Sequence, residues 1–300
     1  MRAAVTVTAE LRGEMCVGEP LARYTSWRVG GPAQRLYKPA DSADLVDFLK
    51  ALEPGEPLLW IGLGSNLLVR DGGFRGTVIL TQGCLTGLRR EGELGVRAEA
   101  GVSCAKVSRF AARHGLTGAE FLAGIPGTLG GALAMNAGAF GGETWERVAS
   151  VETVDRFGVV RRRDPSDYRI AYRQVDGPQG EWFLSALLTL AAGDSAASQS
   201  RIRSLLERRG ETQPIGLPSC GSVFRNPPGD YAARLIESAG LKGVSIGGAQ
   251  VSEKHANFII NRGGATARDI EQLIDRVQQE VDRVYGVRLI PEVHRVGEAD

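Results

Sequence analysis

Two glycine-rich segments constrain the fold of this chain more than any other feature. The first, GLGSNLLVRDGGFRG, spans 62–76, and the second, GIPGTLGGALAMNAGAFGG, spans 124–142. Glycine accounts for 40 of the 300 residues, nearly twice the average share of about 7%. Glycine permits positive φ and close approach of the backbone, so consecutive small residues can turn several N–H groups toward one anion. Two such segments favour loops around a phosphate-bearing ligand over a simple series of tight turns.

Neither segment matches a standard nucleotide-binding or hydrolase motif. Leu67 occupies the third glycine position of G-x-G-x-x-G, and the chain contains no GxxxxGK[ST], so the Rossmann and P-loop motifs are excluded. Ser65 is in the wrong register for a nucleophile elbow. Thr128 is expected to begin a helix, whose dipole would also attract an anion. Asn66 and Asn136 offer amide groups to phosphate or ribityl oxygens.

Charge, cysteine content and hydropathy exclude several classes of protein. Lys and Arg number 36 against 35 Asp and Glu, so nothing indicates a nucleic-acid or membrane partner. Four cysteines without a CxxC pair fit a reducing compartment, and no apolar run reaches the roughly 18 residues of a transmembrane helix. The N-terminal residues lack a signal-peptide pattern. Three scattered histidines have no ligand-like spacing. We therefore expect a cytoplasmic protein without a metal site.

Helical and strand patterns are intermixed along the chain, which predicts an α+β class, and the length predicts about two domains. The small polar segment 193–200 reads as a linker between them. A long helix over 267–285 is expected from Thr266 as its cap and Gly286 at its end. Strands at 257–261 and 287–293 would flank this helix as an α/β unit. The other predicted helices are 41–52, 103–115, 201–210 and 230–239, and the other predicted strands are 57–66, 77–81, 94–101, 186–192 and a hairpin over 150–163. The apolar stripe of the long helix comprises Ile270, Leu273, Ile274, Val277, Val281 and Val284.

Several polar residues outside the glycine-rich segments are candidates for chemistry, and each has an ordinary alternative. Ser222 lies in the loop PSCGSVFRNPPG (218–229), where a serine after glycine is most often a turn residue. Arg173 can be a solvated surface charge. Glu292 can lie on the solvent side of an edge strand. Lys254 and its neighbour His255 can bind a phosphate or sugar, or can simply open a strand.

The order of these motifs resembles one enzyme family. GLGSNLLV, GIPGTLGGA-x-x-MNAGA, AYRQV, CGSVF-x-NP, IGGAQVSEKHANFIIN and PEV follow one another as in the UDP-N-acetylenolpyruvoylglucosamine reductases, and the resemblance covers about 20–296. No tyrosine occurs between Tyr172 and Tyr231. The chain therefore resembles the form of the family (type II) that lacks a Tyr-bearing loop over the substrate.

The resemblance implies an FAD-binding fold of the vanillyl-alcohol-oxidase/para-cresol-methylhydroxylase (VAO/PCMH) type in two subdomains, followed by a C-terminal α/β substrate domain. The implied division is an N-terminal arm at 1–20, an FAD-binding domain at 21–195 with subdomains 21–83 and 84–195, and a substrate domain at 201–300. No histidine lies in either glycine-rich segment, so FAD would be held noncovalently. The implied cofactor-binding residues are Gly62, Gly64, Ser65, Asn66, Gly124, Ile125, Pro126, Gly127, Thr128, Gly130, Gly131, Asn136, Ala137 and Gly138.

The implied activity is that of an NADPH- and FAD-dependent UDP-N-acetylmuramate dehydrogenase. NADPH would reduce FAD, and a hydride from flavin N5 would then add to the vinyl carbon of UDP-N-acetyl-3-O-(1-carboxyvinyl)glucosamine. Ser222 would donate the proton, Arg173 would bind the substrate carboxylate, and Glu292 would orient or polarise the enolate. A monomeric, cytoplasmic enzyme of peptidoglycan synthesis follows, with roles in cell-wall biogenesis, cell shape, cell division and the cell cycle. The implied substrate-binding residues are Tyr172, Arg225, Asn226, Lys254 and His255.

The chain departs from the family pattern at two points. AYRQV lacks the serine expected two residues after Arg173, and Arg225 stands where lysine is commoner, which changes the donor geometry. Two alternatives stay open at this point. One is another FAD oxidoreductase of the same superfamily, such as a small carbohydrate oxidase, and the other is a non-catalytic nucleotide-sugar binding protein.

Overall fold

A computed structural model of the chain describes residues 11–299. Within this range, no helix is long and apolar enough to cross a membrane. The helices are α1 (Ser42–Ala51), α2 (Cys104–Arg113), α3 (Leu129–Ala134), α4 (Ser195–Thr212), α5 (Ala232–Ser238) and α6 (Ala267–Tyr285), with 3₁₀ turns at Leu21–Tyr24, Glu120–Gly124, Thr144–Arg147 and Pro165–Asp167. The strands are β1 (Glu14–Pro20), β2 (Pro32–Lys38), β3 (Leu58–Ile61), β4 (Leu67–Val69), β5 (Phe74–Leu80), β6 (Leu88–Glu91), β7 (Gly95–Glu99), β8 (Leu116–Thr117), β9 (Gly138–Ala139), β10 (Gly142–Glu143), β11 (Val148–Asp155), β12 (Val160–Arg163), β13 (Arg169–Ala171), β14 (Gln174–Asp176), β15 (Glu181–Thr189), β16 (Ala191–Ala192), β17 (Ser245–Ile246), β18 (Ala249–Val251), β19 (Ile259–Asn261) and β20 (His294–Val296).

The first sheet has the strand order β1-β2-β5-β3, and it is parallel except for β1. Helix α1 begins as predicted, because the Asp41 carboxylate accepts the N–H of Asp44 at 2.9 Å. Its Phe48 stacks on Tyr37 with ring centroids 3.7 Å apart, which ties the helix to the sheet. Residues 14–20, assigned to an N-terminal arm, form strand β1, while residues 1–10 of that arm lie outside the described residues.

The second sheet is antiparallel, with the order β12-β11-β15-β7-β6. Strands β11 and β12 are the hairpin that the sequence predicts over 150–163. Helix α2, predicted over 103–115, is capped by Ser103, whose Oγ accepts the N–H of Lys106. Apolar residues of this helix and of the sheet form one core, whose buried members include Val96, Ala98, Val107, Ala111, Val151 and Ala186.

The predicted linker at 193–200 is wrong for most of its length. Helix α4 begins at Ser195, because the Asp194 carboxylate accepts the N–H of Ala197 at 2.6 Å. Small polar residues are typical of both linkers and helix caps, and the two alanines at 196 and 197 favour a helix. The composition of 193–200 is therefore compatible with both a linker and the start of a helix.

The third sheet, β17-β18-β19, packs against α6. The prediction for α6 is confirmed, including the cap at Thr266 and the left-handed Gly286 at φ 63°. Five of the six stripe residues are buried, but Val284 is 43% exposed because it lies in the last turn, beyond the part of the helix that the core covers.

The strand predicted at 287–293 is wrong. This segment runs as irregular chain with one bridge between Phe224 and Pro291. Around that bridge Arg225 donates its N–H to Ile290 O and Glu292 donates its N–H to Val223 O. Regular pairing begins only at β20, which is parallel to β4 with His294 opposite Leu67. The end of the chain therefore returns to the region of the first glycine-rich segment and does not join β19 in an α/β unit.

Contacts between residues far apart in sequence join the part of the chain before β5 to the third sheet and α6. The Asp71 carboxylate accepts the N–H groups of Ala267 and Arg268, each at 2.9 Å, and so caps the start of α6. Trp27 is fully buried and donates its indole N–H to Ile259 O at 2.7 Å. These contacts join the predicted FAD-binding domain to the predicted substrate domain. The predicted domain boundaries near 83 and 195–201 stay a prediction.

Replacing Asp71 with alanine is expected to lower the free energy of unfolding by about 1–2 kcal/mol, because two N–H groups at the start of α6 lose their acceptor. Urea denaturation followed by tryptophan fluorescence measures this change. Asp47→Ala is the matched control, since among residues 11–299 the side chain of Asp47 makes only an exposed pair with Lys50. This variant should change stability by less than about 0.5 kcal/mol. Equal losses in the two variants would contradict the cap.

Candidate active site

A cavity of about 510 Å³ lies between the two glycine-rich segments and the Ser222 loop. Its volume is in the range of small-molecule and cofactor sites. Both glycine-rich segments contribute residues to the cavity wall, and each begins where a strand or a 3₁₀ turn ends. Twelve of the fourteen predicted cofactor residues line the cavity, namely Gly62, Gly64, Ser65, Asn66, Gly124, Ile125, Pro126, Gly127, Thr128, Gly131, Ala137 and Gly138.

The structure places the other two predicted cofactor residues in the scaffold. Gly130 donates its N–H to Ala100 O at 2.9 Å, and a Cβ at Gly130 would lie 2.8 Å from Ala100 Cβ. Asn136 is buried at φ 46° and donates to Glu143 and to Ala171 O. Gly130 is thus needed for close packing, and Asn136 braces the chain two residues before Arg173.

The walls of the cavity fit a dinucleotide such as FAD. A Cβ at Gly62 would lie 2.2 Å from Thr128 Oγ1, so the two segments approach closely at this point. Thr128 Oγ1 and Trp60 Nε1 are buried without a hydrogen-bond partner among residues 11–299, and both residues line the cavity. Buried polar groups in folded proteins nearly always have a partner, so these two indicate a polar ligand.

Arg173, Ser222 and Glu292 all line this same cavity. Arg173 lies at φ 56° in the turn between β13 and β14, a strained conformation for a residue with a side chain. Its Nη2 donates to Gly138 O at 3.0 Å, and its Nε lies 3.2 Å from Glu292 Oε1. That N–H does not point at the carboxylate, so the contact is an ion pair rather than a well-aligned hydrogen bond.

Burial raises the pKa of Glu292, and the positive charges of Arg173 and Arg225 offset part of this rise. The carboxyl side chain is only 9% exposed. Desolvation penalises the charged form, so Glu292 keeps a proton to higher pH than an exposed glutamate does.

Ser222 is held at the cavity wall by the backbone on both sides of it. Gly221 at φ 77° makes the turn that precedes it. The next residue, Val223, donates its N–H to Asn257 O and accepts the N–H of Glu292 at 2.8 Å. Within the described part of the chain the Ser222 hydroxyl has no hydrogen-bond partner, so it is available to a ligand.

None of the five predicted substrate contacts lines the cavity. Tyr172 is half-exposed, with its ring 5.4 Å from the Arg173 guanidinium. Asn226 Oδ1 accepts the N–H of Ala232 at the start of α5, and Lys254 donates to Gly210 O. These side chains have structural partners that spacing in the sequence does not indicate.

The remaining two substrate candidates, Arg225 and His255, lie outside the cavity wall for different reasons. The His255 ring packs edge-on against Phe258, and its burial lowers its pKa. Arg225 has a buried, unpartnered Nε among the described residues, and its charge acts on Glu292. Arg225 therefore influences the site through its electrostatic field.

Sequence reasoning missed several residues of the cavity wall. Arg209 and Gln213 reach it from the last turn of α4, with Arg209 Nε donating to Gln213 Oε1 at 2.9 Å. Burial lowers the pKa of Arg209. His294 also lines the cavity, and burial together with Arg225 lowers its pKa. The i, i+4 spacing of the first two, and the two-residue step from Glu292 to His294, were signals in the sequence.

Comparisons with known proteins identify the family of this chain. The FAD binding domain model matches residues 33–163, and the model for the C-terminal domain of UDP-N-acetylenolpyruvoylglucosamine reductase matches residues 213–296. The reductase of Alkalilimnicola ehrlichii is 69% identical over 287 residues, covering 96% of each chain. The reductase of Methylococcus capsulatus is 60% identical over 296 residues, covering 99% of this chain and 97% of the relative. The chain belongs to the UDP-N-acetylenolpyruvoylglucosamine reductase family.

A solved reductase of this family, from Thermus caldophilus, superimposes with a TM-score of 0.80 at 33% identity, covering 96% of this chain and 100% of that one. The family resemblance and the FAD-binding α+β fold predicted from the sequence are thereby confirmed. The predicted enzyme class, an FAD-dependent oxidoreductase, is confirmed as well.

Gly62→Ala is expected to weaken FAD binding by about tenfold or more, because the new Cβ would overlap Thr128 Oγ1 and force the two segments apart. Flavin fluorescence during titration of the flavin-free protein measures this affinity. Gly210→Ala is the matched control, since Gly210 has nothing within 4 Å of its missing Cβ and lies within α4. Unchanged FAD affinity in Gly62→Ala would contradict the proposed seat of the cofactor.

Proposed function

We propose that this protein reduces UDP-N-acetyl-3-O-(1-carboxyvinyl)glucosamine to UDP-N-acetylmuramate, with NADPH as electron donor. The observation that carries the proposal is the meeting of a free hydroxyl, a guanidinium and a buried carboxyl in one cavity whose walls fit FAD. The relatives' name, UDP-N-acetylenolpyruvoylglucosamine reductase, supports the same reaction. The product would feed peptidoglycan synthesis, and through it cell-wall biogenesis, cell shape and cell division.

FAD, bound noncovalently by the two glycine-rich segments, would supply hydride transfer to the terminal vinyl carbon. Addition of a hydride there leaves negative charge on the adjacent carbon and its carboxylate. That charge must be stabilised by groups already in place, since reorganising them during the reaction would add to the barrier. Arg173, Ser222 and Glu292 are such groups, and Asn136 and Gly138 fix the position of Arg173 through the backbone.

Arg173 is suited to the substrate carboxylate because its planar fork can donate two parallel hydrogen bonds. Only Nη2 has a hydrogen-bond acceptor among residues 11–299, so other N–H groups remain for a ligand. Glu292 Oε1 lies 3.2 Å from Nε of this guanidinium, so the two side chains meet in the same part of the cavity.

Ser222 would donate its hydroxyl proton to the carbon that bears the ether oxygen. A serine hydroxyl is a weak acid, so the step requires a strongly basic carbanion and exclusion of water. Glu292, when protonated, would donate a hydrogen bond to the developing enolate on the other side. Its raised pKa supports this role, because a bare carboxylate would repel the same charge.

NADPH and the sugar nucleotide would occupy the cavity in succession. The partly buried Arg209 beside Gln213 offers a cation for the diphosphate that both molecules carry. We propose a cytoplasmic monomer whose uridine contacts differ from those of relatives with a Tyr-bearing loop, with the domain division expected from the sequence.

Ser222→Ala is expected to leave reduction of the flavin by NADPH within about twofold of wild type, and to slow reoxidation by the enolpyruvyl substrate by at least about a hundredfold, the usual scale of general acid catalysis. Stopped-flow absorbance of the flavin measures the two half-reactions separately. Ser219→Ala, in the same loop but outside the cavity wall, is the control.

Three results would contradict the proposal. Unimpaired reoxidation of Ser222→Ala would remove the serine from the proton-donor role. Consumption of oxygen with a free sugar, and no use of NADPH, would instead support a carbohydrate oxidase. A purified protein that binds UDP-sugars but cannot be loaded with FAD would support a binding protein.

The reoxidation rate should fall as pH rises through the pKa of Glu292, since the step requires the protonated carboxyl and burial places that pKa above its ordinary value. Glu292→Gln keeps a hydrogen-bond donor that cannot ionise. Reoxidation in this variant should therefore be slower than in wild type at low pH, but its rate should not fall as pH rises. Reduction of the flavin by NADPH over the same pH range is the internal control. The same descent in Glu292→Gln would show that another group titrates.

A further inference from the structure

Asn66 stands at the point where the cofactor loop joins the C-terminal strand. It ends the segment GLGSN that lines the cavity, and β4 follows it directly. Strand β4 pairs with β20 in parallel, with Leu67 opposite His294. Two residues before His294 lies Glu292. The cofactor loop and the catalytic carboxyl are therefore neighbours through a strand pair whose members are more than 200 residues apart in sequence.

Two hydrogen bonds extend this pairing beyond the strands. The Asn66 side-chain amide donates to Glu292 O at 3.1 Å, and Asn66 O accepts the N–H of His294 at 3.0 Å. The N–H of Glu292 donates to Val223 O at 2.8 Å. The peptide groups of Glu292 are thus fixed on one side by the Ser222 loop and on the other by Asn66.

Glu292 depends on these bonds because the chain before it is irregular. Residues 287–293 belong to no strand and make one isolated bridge, between Phe224 and Pro291. The carboxyl of Glu292 must nevertheless be held next to Arg173, at 3.2 Å, in a largely buried position. A shift of about 1 Å in a reacting geometry can cost about a hundredfold in rate.

We propose that Asn66 is a positioning residue for Glu292, which ties the placement of this carboxyl to the loop that seats the cofactor. The family resemblance assigns Asn66 to FAD binding, whereas the structure shows its side-chain amide donating to Glu292 O. This inference rests on the proposed function, because it concerns the half-reaction in which the sugar nucleotide accepts electrons. Asn66 acts through Glu292 and need not touch the substrate.

The test compares Asn66→Ala and Asn66→Asp with Ser65→Ala and Glu292→Gln, and adds the double variant Asn66→Ala/Glu292→Gln. Ser65 is the comparison for effects on the cofactor, since it lines the same cavity next to Asn66 but makes no hydrogen bond to residues 292–294. Any effect of Ser65→Ala should therefore fall on FAD affinity or on both half-reactions alike. Asn66→Asp preserves the shape of the side chain and removes the donor, so it remains informative if the alanine variant folds poorly. FAD affinity is measured by fluorescence, and both half-reactions are measured per bound flavin at saturating FAD.

We expect Asn66→Ala and Asn66→Asp to slow reoxidation by the enolpyruvyl substrate by about tenfold or more, with flavin reduction by NADPH changed by less than about twofold. In Asn66→Ala the fall of the reoxidation rate with rising pH should move to lower pH, because a loosened Glu292 is better hydrated. In the Glu292→Gln background Asn66→Ala should cost much less than in wild type, since residues that act as a unit are not additive.

Additive losses in the double variant, or equal slowing of both half-reactions in the Asn66 and Ser65 variants, would overturn this inference and assign Asn66 to the cofactor alone. Failure of the proposed function has a different signature. In that case wild-type protein itself would not be reoxidised by the enolpyruvyl sugar, and Glu292→Gln would change nothing in that assay.

Discussion

The pairing of β20 with β4 is the interaction on which the site depends. It places Glu292 and the Ser222 loop against the first glycine-rich segment, and the second segment closes the cavity from the other side. The pairing is only three residues long, so it needs support. That support comes from an ion network in which Glu271 of α6 contacts Arg70 after β4 and Arg295 of β20, and from the Asp71 cap on the same helix.

The site concentrates features that cost stability elsewhere in proteins. Arg173 has a positive φ, Glu292 is a buried carboxyl with a raised pKa, and the side chain of Arg225 has an unpartnered buried nitrogen among the described residues. Each costs on the order of 1–3 kcal/mol in general. The rigid surroundings, with Asn136 bracing Ala171 O and Val223 binding the Glu292 N–H, keep these groups in place. The same features are typical of active sites, where groups are prepared for charge that develops during the reaction.

Local chemistry determined what could be predicted from the sequence. Helix α6 was predicted with its cap and its end because Thr266 and Gly286 act on their own neighbours. The glycine-rich segments were predicted as ligand loops for the same reason, and the family motifs brought Arg173, Ser222 and Glu292 to attention. The structure brings these three together in one cavity.

What could not be predicted depends on contacts between distant residues. Regular pairing of the chain end begins only at His294, because the partner of β20 is the distant β4, while 287–293 makes one isolated bridge. Asn226 and Lys254 are predicted to bind substrate, and that stays a prediction. Their partners in the structure, the N–H of Ala232 and a carbonyl 44 residues from Lys254, were not predicted. Which strand a segment pairs with, and which group a polar side chain binds, depend on residues far away in the sequence. A short window of sequence therefore predicts neither.

The long separation between β4 and β20 has a consequence for assembly. Because joining β4 to β20 closes a loop of more than 200 residues, this contact carries a large entropic cost and should form late. During synthesis both glycine-rich segments can be complete while Glu292 has not yet been added to the chain, so the part of the cavity wall that carries this carboxyl would be the last to arrive.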